Sequence, residues 1–189
     1  NKTFIYIDEA TQHLIVCCSS QTQADQITTL LRQTLGQLSL KPLNHPDNTT
    51  YHMTQWLKGS TYPDHCHLGT QCQMVDRTES GRAVRFSQHP LDNPCVQQHL
   101  NDGKVVSSLA LVREDSLSFN FNQNFSLTRI QWLGQLLDSI QADSPDDAAQ
   151  ELDATFAIFS GLLRDTLQSL LQACESIETQ PEAALEATT

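Results

Sequence analysis

The chain has 189 residues, and its hydrophobic fraction of 39% is high enough for a packed core and too high for a disordered protein. No stretch reaches the roughly 18 apolar residues that a membrane-spanning helix needs, and no signal-peptide pattern is present. The net charge of −11 is unevenly distributed, because residues 130–189 contain 11 acidic residues and a single basic one, Arg164. Phosphates are repelled by such a segment, so a nucleic-acid surface is excluded there.

The first 60 residues contain the signals of a hairpin followed by helices. Two short runs rich in β-branched and aromatic residues predict the hairpin. Ser20 or Thr22 can cap a helix whose apolar residues recur at helical spacing, and Gly59 ends a second, short helix. In chain order we predict strands over 3–8 and 13–19, a helix from 20 to about 38, a strand over 38–43 and a helix over 54–58.

The remainder contains further hairpins and ends in a long helix. Residues 117–121 alternate apolar and polar side chains, which is typical of a half-buried strand. Ser144 followed by Pro145 and two aspartates predicts the start of the final helix. In chain order we predict a loop over 59–65, strands over 66–75 and 82–87, a helix over 93–101, strands over 104–112, 117–121 and 125–133, and a helix over 145–175.

These elements predict an α+β fold. A mixed or antiparallel sheet of hairpins is expected, with one helix after the first hairpin and a long C-terminal helix. We predict a hairpin-plus-helix subdomain over residues 1–60, a sheet with the acidic helix over 61–178 and a flexible tail over 179–189. The chain lacks an initiator Met and begins almost directly in a strand, so we expect it to be a piece of a longer protein.

Six cysteines are too few and too scattered for a disulfide scaffold in a chain of this length, which favours a reducing compartment. The segment His65-Cys66-His67-x4-Cys72 contains zinc-ligand residue types. In a strand, however, Cys66 and His67 point to opposite faces, and no second half-site exists. Incidental Cys and His residues are the alternative, and we expect no bound metal and no cofactor.

No catalytic motif is present: the chain has no G-x-S-x-G, no P-loop and no G-x-G-x-x-G. We therefore expect a protein that is not an enzyme. The nearest set of basic residues comprises Arg82, Arg85 and Lys104 near predicted strand starts, which is a weak signal for phosphate binding. Scattered solvated charges are the alternative, since Arg82 and Arg85 would face opposite sides of a regular strand.

Several segments match a known family in the same order along nearly the whole chain. They are Tyr6-Ile7-Asp8 with Leu14-Ile15-Val16-Cys17, Thr54-x-Trp56 with Gly59, Gly103-Lys104-Val105-Val106-x-x-Leu109-Ala110-Leu111, and Asp153-Ala154-x-Phe156-x-x-x-Ser160-Gly161-x-Leu163. The ordered set resembles the family of the recombination-associated protein RdgC of proteobacteria. The resemblance covers the C-terminal part of that family, roughly two-thirds of it, without the N-terminal portion.

The resemblance implies a non-catalytic protein that forms a ring-shaped homodimer around double-stranded DNA and has little sequence preference. It further implies a cytoplasmic, nucleoid-associated protein, with no membrane contact, that limits access of the RecA recombinase to DNA. Lys104 matches the family's Gly-Lys-Val-Val lysine, and Arg85 matches a basic strand position. With Arg82 and Gln88 they are the expected DNA-binding residues, although Ser87-Gln88-His89 stands where a family member has Lys-Lys-Gln.

A protein–protein interaction or dimerisation module without DNA affinity of its own is the alternative function. The acidic final helix would then bind a basic partner or a second copy. Its apolar residues Phe156 and Phe159 suit either a core or an interface.

Overall fold

The computed structural model describes residues 3–43, 46–78, 81–114, 116–134 and 148–175. Its fold is α+β, with one antiparallel sheet of two strands, one of five, and a long C-terminal helix, which confirms the predicted class. The chain divides into two compact units, Asn1–Pro42 and Leu43–Thr189. Within the described ranges, no helix is long and apolar enough to cross a membrane.

The first unit is the predicted hairpin followed by a helix. Strands β1 (Phe4–Asp8) and β2 (His13–Cys17) pair antiparallel. The buried Asp8 carboxylate accepts a hydrogen bond of 3.1 Å from the Ala10 amide and so holds the turn. Helix α1 (Gln21–Leu35) begins after Ser20, whose hydroxyl accepts from the Gln23 amide, which confirms the predicted cap.

The end of α1 differs from the prediction. The helix was expected to continue to about Leu38, but it stops at Leu35 because Gly36 adopts a left-handed backbone with φ of 76°. Glycine reaches this conformation without a steric penalty, which makes it a common helix terminator. The predicted strand over 38–43 was wrong, since these residues pair with no described strand.

The second unit is built on a five-stranded antiparallel sheet, as the hairpin signals predicted. Its strands run in the order β4-β3-β5-β6-β7. Residues 79 and 80 of the predicted β3–β4 turn lie outside the described ranges. The strands are β3 (Cys66–Val75), β4 (Ala83–Phe86), β5 (Val105–Arg113), β6 (Leu117–Asn122) and β7 (Leu127–Trp132).

Three helices accompany the sheet: α2 (Pro46–Leu57), α3 (Pro94–Asn101) and α4 (Ala148–Glu175). Helix α2 is longer than the predicted 54–58, because Pro46 begins the helix rather than breaking the chain; its fixed φ suits a first helical position. Asn93 caps α3 as the sequence indicated. The predicted start of α4 at 144–147 and the predicted tail at 179–189 lie outside the described residues.

One face of the sheet forms the core with these helices. Trp56 of α2 stacks on Phe121 of β6 with ring centroids 6.1 Å apart. The buried Thr54 hydroxyl accepts a hydrogen bond of 2.9 Å from the Val106 amide, which ties α2 to β5. Leu170 and Cys174 of α4 complete this cluster. The described helices of this unit therefore bury one face of the sheet.

Strand β3 contains an irregularity in which glycine is required. On β3, Leu68 pairs with Leu111 of β5, and the next paired residue, Cys72, pairs with Leu109. The paired residues are four positions apart on β3 but two apart on β5, so extra residues of β3 bulge out between them. A Cβ added at Gly69 would lie 2.9 Å from the Ala110 Cβ and 3.3 Å from the Ala110 carbonyl carbon. The close approach of β3 and β5 thus depends on the missing side chain.

Gly69→Ala should therefore destabilise the protein by about 1–3 kcal/mol, as expected for overpacking. Gly161→Ala in α4 is the matched control, because a Cβ there meets no atom within 4 Å and the change should stabilise the helix by roughly 0.5–1 kcal/mol. Urea unfolding of both variants measures the two effects. Equal stability of Gly69→Ala and the unmodified chain would contradict the packing argument.

A second prediction concerns pH and the buried His52. Burial lowers the pKa of the His52 imidazole, and a hydrogen bond to the Cys174 backbone partly opposes this. The unfolded chain therefore takes up a proton as the pH falls through 6.5 while the folded chain does not, and the free energy of unfolding decreases. His52→Gln should make stability less dependent on pH between 7.5 and 5.5; His67→Gln, on an exposed strand position, should not.

Candidate nucleic-acid interface

The face of the five-stranded sheet opposite the core is polar. In β6, Leu117, Phe119 and Phe121 are buried while the residues between them are not. Buried and half-buried residues also alternate over Leu109–Leu111 of β5 and Cys72–Met74 of β3, and the half-buried and exposed positions surround a concavity of about 170 Å³. We call this surface the polar sheet face; its polar side chains are Gln71, Gln73, Arg85, Ser108, Asn120, Asn122, Thr128 and Arg129.

The strand register aligns four of these side chains in one row. Arg85 of β4 is opposite Gln73 of β3, Gln73 is opposite Ser108 of β5, and Ser108 is opposite Asn122 of β6. Directly opposed residues on one face have Cβ atoms about 5 Å apart and interact. The row is therefore a continuous line of hydrogen-bonding groups across four strands.

Arg85 lies at one end of this row. Its Nη2 donates a hydrogen bond of 2.8 Å to Oε1 of Gln73, and its side chain is exposed. Arg82 and Arg85 do not lie in one strand, so the expectation about a regular strand does not apply to them. Arg82 precedes β4, is exposed, and accepts a hydrogen bond from the Asp76 amide through its carbonyl.

Arg129 lies on the opposite side of the concavity and was not predicted as a site residue. Its Nη1 donates a hydrogen bond of 2.8 Å to Oε1 of Gln71. Its backbone is left-handed, with φ of 52°, at the point where the β6–β7 register shifts. Alternation indicates that strand residues have two faces, but it does not reveal a local bulge that turns a side chain, so the sequence offered no signal for this placement.

The chemistry of the polar sheet face suits an anion. Among its described polar side chains, two are guanidinium groups, the others are amides and hydroxyls, and none is a carboxylate. Guanidinium groups bind phosphate through charge-assisted, often bidentate hydrogen bonds. Amide and hydroxyl groups add neutral donors. The face can therefore hold phosphate groups.

The family model described as "Putative exonuclease, RdgC" matches residues 1–177. The chain belongs to the RdgC family. The recombination-associated protein RdgC of Psychromonas ingrahamii is 31% identical over 173 residues, which are 92% of this chain and 57% of that protein. Those of Xylella fastidiosa and Xanthomonas axonopodis pv. citri are 31% and 30% identical over 80% and 87% of this chain and 50% and 54% of theirs.

This RdgC family chain spans about half the length of the curated relatives that it matches. Membership confirms the resemblance that the ordered segments indicated. The relatives are named as recombination-associated proteins, whereas the family description contains the word exonuclease. Within the described part of the chain, no three His, Cys, Asp or Glu residues are grouped so that they could hold a metal ion.

The other residues expected to bind DNA lie apart from the concavity. Lys104 joins α3 to β5: its amide donates to the His99 carbonyl, and its Nζ lies 4.0 Å from the Asp102 carboxylate. Only 17% of its side chain is exposed. Gln88 follows β4, is exposed and has a left-handed φ of 53°. Of the expected residues, Arg85 alone lines the polar sheet face.

The residues of the predicted metal candidate, His65 to Cys72, lie in different environments. His65 contacts the Glu114 carboxylate, His67 is exposed, and Cys72 is buried in the core. Burial raises the pKa of the Cys66 thiol and raises that of Cys72 to about 12. Because a cysteine ligand must be a thiolate, both shifts oppose metal binding here.

The cysteines should also differ in their reactivity towards thiol reagents, according to their exposure and pKa. Cys17 and Cys95 are exposed, whereas Cys72 and Cys174 are buried and have pKa values raised to about 12 by burial. A water-soluble thiol reagent at pH 8 should therefore label Cys17 and Cys95 first, and Cys72 and Cys174 only after unfolding. Peptide mapping by mass spectrometry identifies the labelled residues. Early labelling of Cys72 would contradict the described packing of β3.

Proposed function

We propose that this chain binds double-stranded DNA without sequence preference and takes part in recombination. The observation that carries the proposal is the polar sheet face, with a guanidinium group on each side of a concavity that has no carboxylate among its described side chains. Contacts to phosphate supply most of the affinity of non-specific DNA binding. The family's recombination-associated relatives support the biological setting.

The size of the sheet supports the lack of sequence preference. Adjacent strands are about 4.8 Å apart, so five strands extend over about 19 Å. The major groove of DNA is about 12 Å wide and admits one helix or a two-stranded ribbon. A five-stranded face is therefore too wide to reach the base edges in the groove. Its side chains would contact the phosphates, which carry no direct sequence information.

The position of the acidic helix is compatible with this interface. Helix α4 packs on the core side of the sheet through Leu167, Leu170 and Cys174. Its acids Asp153, Asp165 and Glu175 are exposed. The packed part of this helix therefore lies on the face of the sheet opposite the polar sheet face, where a carboxylate would repel phosphate.

We further propose a ring-shaped homodimer that surrounds the duplex, is associated with the nucleoid and limits the access of RecA recombinase. Two guanidinium groups per chain predict a salt slope of only about −1.8, which is too weak for tight binding. A second copy would double this contribution and would face the opposite side of the duplex. The proposal includes no catalytic step, since the polar sheet face has no described carboxylate that could act as a base or hold a divalent cation.

A protein–protein interaction module is the second candidate function. Large apolar side chains are exposed in the first unit: Phe4 is 76% exposed, and Ile7 and Leu30 are each 62% exposed. Phe156 of α4 is 55% exposed. Large exposed apolar side chains add to the apolar surface available to a partner, so this observation favours contact with another protein surface.

The DNA-binding proposal predicts a specific effect of Arg85→Ala. The variant should bind every duplex sequence more weakly, and the slope of log K against log salt should become shallower by about one unit, because one phosphate contact is lost. Lys104→Ala should have a smaller effect, because Lys104 is mostly buried beside Asp102. Fluorescence anisotropy with random duplexes over a salt series measures both.

Arg77→Ala is the matched control. Arg77 is exposed and donates to the Asp47 carboxylate, so its removal changes the net charge equally without touching the polar sheet face. Affinity that does not depend on salt would contradict the proposal. A dimer in sedimentation experiments that has no DNA affinity would instead favour the interaction module.

A further inference from the structure

We propose that Arg129 and Arg85 form a two-point phosphate clamp, and that the side-chain oxygens of Gln71 and Gln73 occupy it until a phosphate displaces them. The proposal deepens the DNA-binding function and rests on it. It assigns a binding role to Arg129 and a positioning role to the two glutamines. The ligand is a phosphate group of a nucleic-acid backbone.

The backbone at Arg129 is shaped to direct this side chain. On β6, Ser118 and Asn120 are two residues apart, but their partners on β7, Gln131 and Thr128, are three apart. One extra residue therefore bulges out of β7, and the left-handed Arg129 lies in that bulge. Bulges re-aim side chains, and a left-handed conformation is uncommon for a residue other than glycine. Such outliers cluster at functional sites.

The re-aimed side chain reaches far across the sheet. Strands β5 and β6 lie between β7 and β3, so Arg129 and Gln71 belong to strands about 14 Å apart. The bridge is possible because both side chains are long and because the intervening position on β5, Ala110 opposite Asn120, is short. Arg129 thus extends over the concavity rather than away from it.

The side-chain oxygens of Gln71 and Gln73 accept hydrogen bonds from guanidinium groups, as a phosphate oxygen would. Oε1 of Gln71 accepts from Nη1 of Arg129 at 2.8 Å and from Nδ2 of Asn120 at 3.5 Å. Oε1 of Gln73 accepts from Nη2 of Arg85 at 2.8 Å. Gln71 and Gln73 are two residues apart on β3, so these two oxygens mark neighbouring acceptor positions in one concavity.

The identity of the acceptor explains why the clamp can open. A glutamine oxygen is neutral, whereas a phosphate oxygen carries a negative charge, so a phosphate adds Coulomb attraction to the hydrogen bond that it accepts from a guanidinium group and can accept two such bonds at once. A phosphate can therefore displace the glutamine, while the glutamine holds the arginine in place beforehand and lowers the entropy lost on binding. A glutamate at the same position would form a permanent ion pair and block the clamp.

Duplex binding is measured for Arg129→Ala, Arg129→Gly and Gln71→Glu. Both Arg129 variants should weaken binding to all sequences and make the salt slope shallower by about one unit. Arg129→Gly removes the guanidinium while favouring the left-handed backbone, so lost binding in this variant is not caused by backbone strain at residue 129; urea unfolding checks that it is folded. Gln71→Glu should reduce affinity more than tenfold.

Two controls match these changes. Arg77→Ala has the same loss of charge as the arginine variants, and Gln98→Glu, on the exposed surface of α3, has the same gain of negative charge as Gln71→Glu. Both should leave affinity within about twofold of the unmodified chain. Inorganic phosphate titrated against guanidinium NMR signals gives a second readout, in which Arg129 and Arg85 should shift together.

Different outcomes contradict the clamp and the proposed DNA-binding function. If Arg129→Gly binds DNA as well as Arg77→Ala does, or if Gln71→Glu behaves like Gln98→Glu, the clamp is overturned. DNA binding that still depends on Arg85 would then leave the proposed function standing. Phosphate-induced shifts at Arg129 and Arg85 without duplex binding would support the clamp and contradict the function.

Discussion

The packing of helices against one face of the five-stranded sheet is the interaction on which the rest of the second unit depends. It is centred on the stacking of Trp56 on Phe121 and on the buried hydrogen bond between Thr54 and the Val106 amide. Because side chains alternate along a strand, burial of Phe119 and Phe121 places Asn120 and Asn122 on the other face. The core and the polar sheet face are thus two consequences of one register.

This arrangement also separates the charges. Helix α4, whose described acids are exposed, packs on the core side of the sheet through Leu170 and Cys174, while Arg85 and Arg129 line the polar sheet face. The chain is strongly acidic as a whole, yet one surface of it is suited to anions. Net charge alone therefore does not describe the surfaces of this protein, and the distribution of charge over the two faces is informative.

Local irregularities give the polar sheet face its shape. Gly69 permits the close approach of β3 and β5 beside Ala110, and the bulge at Arg129 turns a guanidinium over the concavity. In a regular strand Arg129 would point to the face opposite that of its neighbour Thr128, which lines the concavity. The two departures from regular geometry occur beside the same concavity, where a bulge can re-aim a side chain at little cost to the remaining pairing.

The sequence by itself determined the α+β class, the Ser20 and Asn93 caps, the hairpins and the alternation of β6, because these follow from local propensity and periodicity. Its ordered motifs also identified the family. Only the tertiary structure decided where α1 ends, since the effect of Gly36 depends on its left-handed backbone. Only the tertiary structure also showed that Arg129 contacts Gln71, three strand spacings away. Contacts between residues 58 positions apart depend on strand register and bulges, which local sequence patterns do not encode.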